Sequence, residues 1–250
     1  MKRLFVILIC ILTFVSSPGT KANELDNDMN IEKSILNKIK NFGINILDTK
    51  FAELEPIELA SFDDFSKKDF DSKKEITYWS TMWHDNLDKL DIITKSSSTL
   101  RGYPVTNLFD KRHETAWVPG AKGTKGNGIG EWVSINLYPK KPDCPSGFEY
   151  FSMVPGYLKS DKTWEENNRV KSVLLVYKSA DYQDSILRLK FKDYKGFQTF
   201  DIGHYIDLDF EAKFWVIIED IYKGTKYDDT CISEIVINGI YSPSACDGPE

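Results

Sequence analysis

The chain has 250 residues, 41% hydrophobic and 28% charged, with a net charge of −6. An acidic balance argues against nucleic acid or an anionic membrane as partner, since both attract basic surfaces. That length holds one sizeable core plus an extension.

Lys2 and Arg3 precede an apolar run over residues 4–15, and Thr20-Lys-Ala22 offers a cleavage site. The pattern predicts a signal peptide over residues 1–22 and a secreted, periplasmic or cell-surface protein. The run is short for a membrane span, although an uncleaved anchor is the rival reading. Ile9 precedes Cys10 where a lipoprotein needs a small residue, so Cys10 reads as part of the apolar run. Removing residues 1–22 takes away three cations and no acid, leaving 228 residues at −9 and no second run fit for a membrane. Cys144, Cys231 and Cys246 then remain, and an oxidising compartment favours one bridge whose partners the spacing does not choose.

Residues 23–90 read as a helical, charged extension. Ile31, Ile35, Leu36, Ile39 and Phe42 recur at helical spacing after Asn30, a candidate cap. After a Phe-studded charged stretch, Tyr78, Trp79, Met82, Trp83, Asn86, Leu87 and Leu90 mark one face of a second helix, apolar enough to dock on a main domain.

Over residues 91–245 the period changes to two. Val133, Ile135 and Leu137 alternate with Ser134 and Asn136. Leu187, Leu189 and Phe191 alternate with Arg188 and Lys190, the pattern of a half-buried strand. Residues 170–177 and 214–221 are apolar on both faces, as central strands are, and residues 232–240 form the last run. Lys195-Gly196, Asn238-Gly239 and Pro139-Lys-Lys-Pro142 read as turns. No long helix separates the strands, so the expected fold is mainly β: an antiparallel sandwich or jelly roll of about eight strands with a small helical N-terminal extension.

The segment Val105-Thr-Asn-Leu-Phe-Asp-Lys-Arg-His-Glu-Thr-Ala-Trp117 resembles the Asn-Leu-x-Asp-Gly-x-x-x-Thr-x-Trp pattern of discoidin-like, galactose-binding-like sandwiches (factor V/VIII C-type domains). Gly128-Ile-Gly-Glu-Trp132, Asn167-Asn-Arg-Val-Lys171 and Gly224-Thr-Lys-Tyr-Asp-Asp-Thr-Cys-Ile-Ser-Glu234 narrow the resemblance. Together they look like the discoidin-type domain associated with NAD glycohydrolase translocation, a proposed glycan-binding module. The resemblance covers about residues 91–240. It implies no catalysis here, because the glycohydrolase work of that family belongs to a separate domain. It also implies a structural calcium ion near the Asp-Gly turn, with Asp110, Thr115 and Glu234 at the matching positions. Lys111 and Arg112 stand where Gly and often an acid would be; either could instead replace the ion by pairing with Asp110 or Glu234.

The residues carry a binding reading by themselves. Sugars stack on aromatic rings and hydrogen-bond to amides, carboxylates and guanidinium groups. Residues 156–169 supply Tyr157, Lys159, Trp164, Asn167, Asn168 and Arg169, with Thr163 and Glu166 at capping-box spacing. Residues 222–230 supply Tyr222, Lys226, Tyr227, Asp228 and Asp229. The competing reading is a salt-bridged cluster that locks the rim of the sandwich, and Trp117 and Trp132 read as core. The Gly-rich stretch 120–130 lacks Gly-Lys-Ser/Thr and precedes a strand, so it reads as a loop with Lys122 and Lys125 in solvent rather than a phosphate cradle.

Enzyme readings are poorly supported. His84, His113 and His204 have no metal spacing, and adjacent Asp228 and Asp229 would need Glu131 or Glu234 opposite to act as a glycosidase. The sequence therefore predicts a non-catalytic module for a glycan or glycoprotein. The alternatives are a protein-protein adhesion or toxin-docking module on the same face and, third, a glycosidase.

Overall fold

The computed structural model describes residues 22–57, 90–120, 127–139, 146–179, 183–206 and 212–241. Cys144, Cys246, His84, Lys122, Lys125 and residues 78–89 of the expected second helix lie outside them.

The two strands expected at the centre are there. β5 (Asn168–Lys178) and β8 (Ala212–Tyr222) pair antiparallel and share a sheet with β1 (Lys50–Leu54), β2 (Leu90–Ser96), β3 (Trp132–Pro139), β6 (Ser185–Lys190) and β9 (Thr230–Cys231). The order is β1-β6-β5-β8-β3-β2, with β9 also on β5. A second sheet runs β10-β4-β7, from β4 (Ser146–Val154), β7 (Gln198–Asp201) and β10 (Glu234–Tyr241). Register aligns Val133, Val216, Leu175 and Leu187 in one row across four strands. Their buried side chains share one core with Phe151, Met153, Phe200, Ile235 and Ile237 of the smaller sheet. Each such side chain contributes about 1.5–3 kcal/mol when taken fully out of water. The fold is a β-sandwich, as expected, with ten strands described rather than about eight and with β1 and β9 paired parallel to their neighbours.

The other face of the larger sheet is covered by α1 (Ala22–Asn41) and the chain that follows it. Ile35, Ile39, Ile44 and Ile46 are buried in the same core. Phe42 stacks on Trp215 at 4.5 Å and meets Trp132 edge-on at 5.4 Å. The helix stops at Gly43, whose φ of +80° suits a residue without Cβ. Gly43 N–H donates to Lys40 and Ile44 N–H to Ile39, satisfying carbonyls of the last turn.

Four sequence expectations change. Asn30 lies inside α1, which begins at Ala22, so it does not cap the helix. Leu90 opens β2 rather than closing a second helix. Asn238-Gly239 lies within β10 and is not a turn: the pairing shifts there because the facing strand β4 carries one extra residue, Glu149, between Phe148 and Tyr150. And β6 is not half-buried: Arg188 is as buried as its apolar neighbours. β1, unforeseen in the sequence, lies beside β6 and brings Glu53 opposite Arg188. Arg188 donates Nε and Nη2 to Glu219 at 2.7–3.0 Å, and its Nη1 lies 3.5 Å from Glu53. Protein carboxylates take the place of water around this guanidinium, which is how a buried charge is tolerated.

Candidate functional site at the rim of the sandwich

Residues 156–169 fold around α2 (Asp161–Glu166), a short helix pinned at both ends. Ser160, not Thr163, is its cap. The Ser160 hydroxyl accepts from Thr163 N–H at 3.1 Å, and Thr163 Oγ1 accepts from Ser160 N–H at 2.9 Å. Thr163 thus plays the part that Glu plays in the commoner capping box. At the other end the unpaired carbonyls of the last turn receive residues 225–227. Thr225 N–H donates to Glu165 at 2.9 Å, and Lys226 and Tyr227 N–H donate to Glu166 at 3.2 and 2.8 Å. The two segments singled out in sequence therefore meet through backbone hydrogen bonds.

A third segment, the turn at 191–197, closes the other side. Arg169 Nε and Nη2 donate to Asp193 at 2.7 and 2.9 Å, and Lys195 lies 2.6 Å from Asp161. Phe197 packs on Trp164, which shares a small cluster with Val154 and Leu158. Tyr222 donates its hydroxyl to the Phe191 carbonyl at 2.9 Å. Sequence reasoning missed Asp193, Tyr194 and Lys195, because nothing in the composition of a short polar turn tells which helix it will meet.

The named residues divide into two sets. Tyr157, Trp164, Asn167 and Asn168 are buried, and Arg169 is largely so. Tyr157 donates its hydroxyl to the Glu114 carbonyl at 3.0 Å, and burial pushes its phenol up to about 12. Asn167 donates to the Thr163 carbonyl at 2.8 Å. Asn168 donates its side-chain amide to Asp228 at 3.1 Å, accepts from Gly224 N–H at 2.8 Å, and donates its own N–H to the Asp229 carbonyl at 2.9 Å. Tyr222 is half-buried, and burial raises its phenol too. Lys159, Lys226, Tyr227, Asp228 and Asp229 remain exposed. The Lys226 ammonium sits 4.8 Å from the Tyr227 ring centre and 3.5 Å from Glu166. Asp228 Oδ1 lies 2.5 Å from Lys223, whose hydrogen bond holds that carboxyl below its ordinary range despite partial desolvation.

The Gly128 segment reaches the same rim through Thr230, which donates to the Asn127 carbonyl. Glu131 is buried and accepts from Ser97 and Ser98 at 2.6 and 2.5 Å. It fastens the start of β3 to the end of β2. Trp117 is fully buried and Trp132 packs partly buried under Phe42, in keeping with core roles. Cys231 carries a free thiol beneath the rim, pushed well up by burial. His204 is exposed on the β7 side, 4.0 Å from Asp201, and His113 lies 4.0 Å from Glu114.

The expected calcium ligands do come together. Thr115 Oγ1 lies 2.9 and 2.8 Å from the two oxygens of Asp110 and 2.8 Å from the Arg112 carbonyl. Glu234 is buried, and burial first, then the Asp110 charge, push its carboxyl up to about 9. The backbone amides of Lys111 and Arg112 offset part of that rise, yet neither carboxylate oxygen completes a hydrogen bond. Lys111 takes φ +60°, the left-handed conformation that glycine adopts more readily. Its side chain is exposed, and Arg112, 63% exposed, turns to Glu114 at 3.8 Å. Neither cation forms an ion pair with Asp110 or Glu234 among the described residues. A buried acid with two unsatisfied oxygens beside Asp110, Thr115 and a carbonyl fits a hard cation. Among the described residues no group of three or more His, Cys, Asp or Glu side chains gathers, so backbone oxygen and water would complete the shell.

Two packed sheets, loops gathered at one rim and an Asp-Lys turn facing the last strand define a discoidin-like (F5/8 type C) β-sandwich, a class of binding module. Residues 77–238 match the NAD glycohydrolase translocation F5/8 type C domain. The chain belongs to that family. No curated protein matches it. Among solved structures it is similar to CBM32-3 from a family 31 glycoside hydrolase of Clostridium perfringens, at 13% identity and TM-score 0.40 over 61% of this chain and 92% of that one. It is also similar to the family 32 CBM from C. perfringens NanJ, solved in complex with galactose, at 12% identity and TM-score 0.40 over 58% and 92%. The CBM32-1 and CBM32-2 domains of C. perfringens ZmpB align at 9% identity and TM-score 0.42 over 88% and 46%. No helix among the described residues is long and apolar enough to cross a membrane.

Proposed function

We propose that this chain is an exported, non-catalytic module that binds a glycan or glycoprotein on the rim around α2. One observation carries the reading: the rim separates residues that build it from residues that face outward. Trp164, Asn167, Asn168 and Arg169 are consumed in packing and hydrogen bonds. Lys159, Lys226, Tyr227, Asp228 and Asp229 stay exposed on backbone held by α2. A ring with ammonium and carboxylate heads beside it offers a polyhydroxyl ligand both a stacking face and hydrogen-bond partners. Because the backbone is fixed beforehand, little ordering entropy opposes binding. Both partners of Asp228 fall on Oδ1, which leaves Oδ2 available to a sugar hydroxyl.

Export follows from residues 1–22, to be checked by N-terminal sequencing of the protein recovered from culture. A structural calcium ion belongs to the same reading, held by Asp110, Thr115, the Arg112 carbonyl and Glu234. When bound it would neutralise the two acids and brace the turn against β10.

A glycan array with the purified chain from residue 23 onward tests the reading. The expected result is binding that Tyr227→Ala and Asp228→Ala each weaken, with circular dichroism unchanged. A well-folded wild type that binds no glycan, or binding to host extracts that survives complete deglycosylation, would overturn it.

A further inference from the structure

We propose that β2 is an edge for self-association: two copies of this chain pair antiparallel through residues 91–95 about a two-fold axis at Ile93, joining their larger sheets. This inference does not depend on what the rim binds.

Among the described residues β2 is the last strand of the larger sheet, with β3 on one side and no strand on the other. Asp91, Ile93 and Lys95 project from one face of it, the face that α1 covers further in, and all three are exposed. Ile93 is 50% exposed, the most open large apolar side chain in any described strand. Asp91 and Lys95 stand about 13 Å apart along the strand, too far to meet each other. Neither forms an ion pair among the described residues.

The free edge has a defined set of main-chain groups. Ser97 N–H donates to the Trp132 carbonyl at 2.9 Å, and the register continues through Lys95 with Ser134, Ile93 with Asn136 and Asp91 with Tyr138. Antiparallel pairs alternate between hydrogen-bonded and open ones, so these odd-numbered residues spend their N–H and C=O groups on β3. Those of Ile92 and Thr94 point to the edge.

That alternation restricts how a second copy can add. Ile92 and Thr94 must meet even-numbered residues of the partner, which leaves few antiparallel registers. In the one centred on Ile93, Ile92 of each copy exchanges main-chain hydrogen bonds with Thr94 of the other. Ile93 then faces its own counterpart across an open pair, where side chains approach most closely. Asp91 of each copy faces Lys95 of the other on the same face. A register centred on Asp91 or on Lys95 sets like charges opposite, and parallel in-register pairing does so twice. An edge lysine ordinarily deters pairing; here a copy brings an aspartate to meet it. The arrangement is self-complementary, as a closed two-fold interface requires. The contact is short, so the expected dimer is weak and reversible.

Sedimentation equilibrium of the purified chain from residue 23 onward, over about 5–500 μM, tests the proposal. The expected result is a mass rising from monomer towards dimer. Lys95→Asp alone and Asp91→Lys alone should each weaken association about tenfold or more, with circular dichroism unchanged. The double exchange, Asp91→Lys with Lys95→Asp, should restore it. Mixing the two single variants should give a heterodimer, since one then carries two cations and the other two acids. A wild type that stays monomeric across the range overturns the proposal. So does a dimer that both single variants leave intact, or one that neither the double exchange nor the mixture restores.

Discussion

Arg169 grips Asp193 with two parallel hydrogen bonds, from Nε at 2.7 Å and Nη2 at 2.9 Å, while its Nη1 donates to the carbonyls of Trp164 and Asn167 at 3.1 Å. One guanidinium thereby joins the end of α2, the start of β5 and the turn bearing Tyr194. Its planar fork is what an ammonium cannot imitate. Arg169→Lys is therefore expected to lose about 1–3 kcal/mol of stability, close to the loss in Arg169→Ala. Asp193→Asn should cost less, because Asp193 is 41% exposed and water substitutes for part of the pair. Urea denaturation midpoints measure all three. A lysine variant as stable as wild type would show that the fork is dispensable.

The docking of residues 222–230 on α2 depends on Gly224. Its N–H meets the Asn168 side chain at 2.8 Å, and a Cβ would sit 2.5 Å from the Glu166 carbonyl oxygen. That neighbour is backbone and cannot turn aside. Gly224→Ala should thus cost about 1–3 kcal/mol by overpacking. It should also shift the amide resonances of residues 225–227, whose hydrogen bonds anchor Tyr227. Lys226→Ala, on the exposed side of the same loop, should change stability by under about 0.5 kcal/mol. Equal melting temperatures for the two variants would contradict this ranking.

The sequence made the sandwich legible where burial leaves a mark on composition. Residues 173–177 and 214–218 are apolar on both faces because each run lies between neighbours in the larger sheet and is covered on both sides. It was silent where charge is buried by pairing. Arg188 looks like a solvent-facing residue in an alternating strand, and only β1, far away in sequence, supplies the Glu53 that completes its surroundings. The rim shows the same limit. Tyr227 and Asp228 were visible as loop chemistry, and so were Trp164 and Arg169, yet composition cannot distinguish a tryptophan that faces a ligand from one that supports the loop. Gly156 records the difference: a Cβ there would lie 2.5 Å from the Trp164 ring, so that indole is packed inward.

Acid should act on the rim through Asp228. The Lys223 hydrogen bond holds this carboxyl below its ordinary 3.8, with help from Asn168. A lowered folded-state value means that the unfolded chain binds the proton more readily. Its stabilising contribution is therefore fully present above the ordinary value and lost as pH falls through the folded one. The side chain is 55% exposed, so this contribution is small. The titration itself is the clearer readout. Carboxyl carbon shifts should place Asp228 below its ordinary value, and Lys223→Met should move it upward. An unmoved Asp228 would mean that Lys223 is not its partner in solution.

Calcium should stabilise the turn at residues 110–115 through Glu234. Without a cation, this acid is buried beside Asp110 with neither oxygen hydrogen-bonded, an arrangement that costs stability. Adding calcium is expected to raise the melting temperature of the chelator-treated protein, with a gain of about 2.7 kcal/mol when free calcium is a hundred times its dissociation constant. Magnesium should do less, since it is smaller and demands a stricter octahedral shell than this mixed set of side-chain and backbone oxygens provides. Glu234→Gln should abolish the response. It should not destabilise the cation-free chain, because a neutral amide replaces a buried acid neither of whose oxygens completes a hydrogen bond, and its own oxygen can still face the Lys111 and Arg112 amides. Asp110→Ala should abolish the response and leave the Thr115 hydroxyl with the Arg112 carbonyl alone as its acceptor. Calorimetry of the three proteins with chelator and with millimolar calcium decides the matter. A wild type indifferent to calcium, or a Glu234→Gln variant that still responds, would remove the ion from this site.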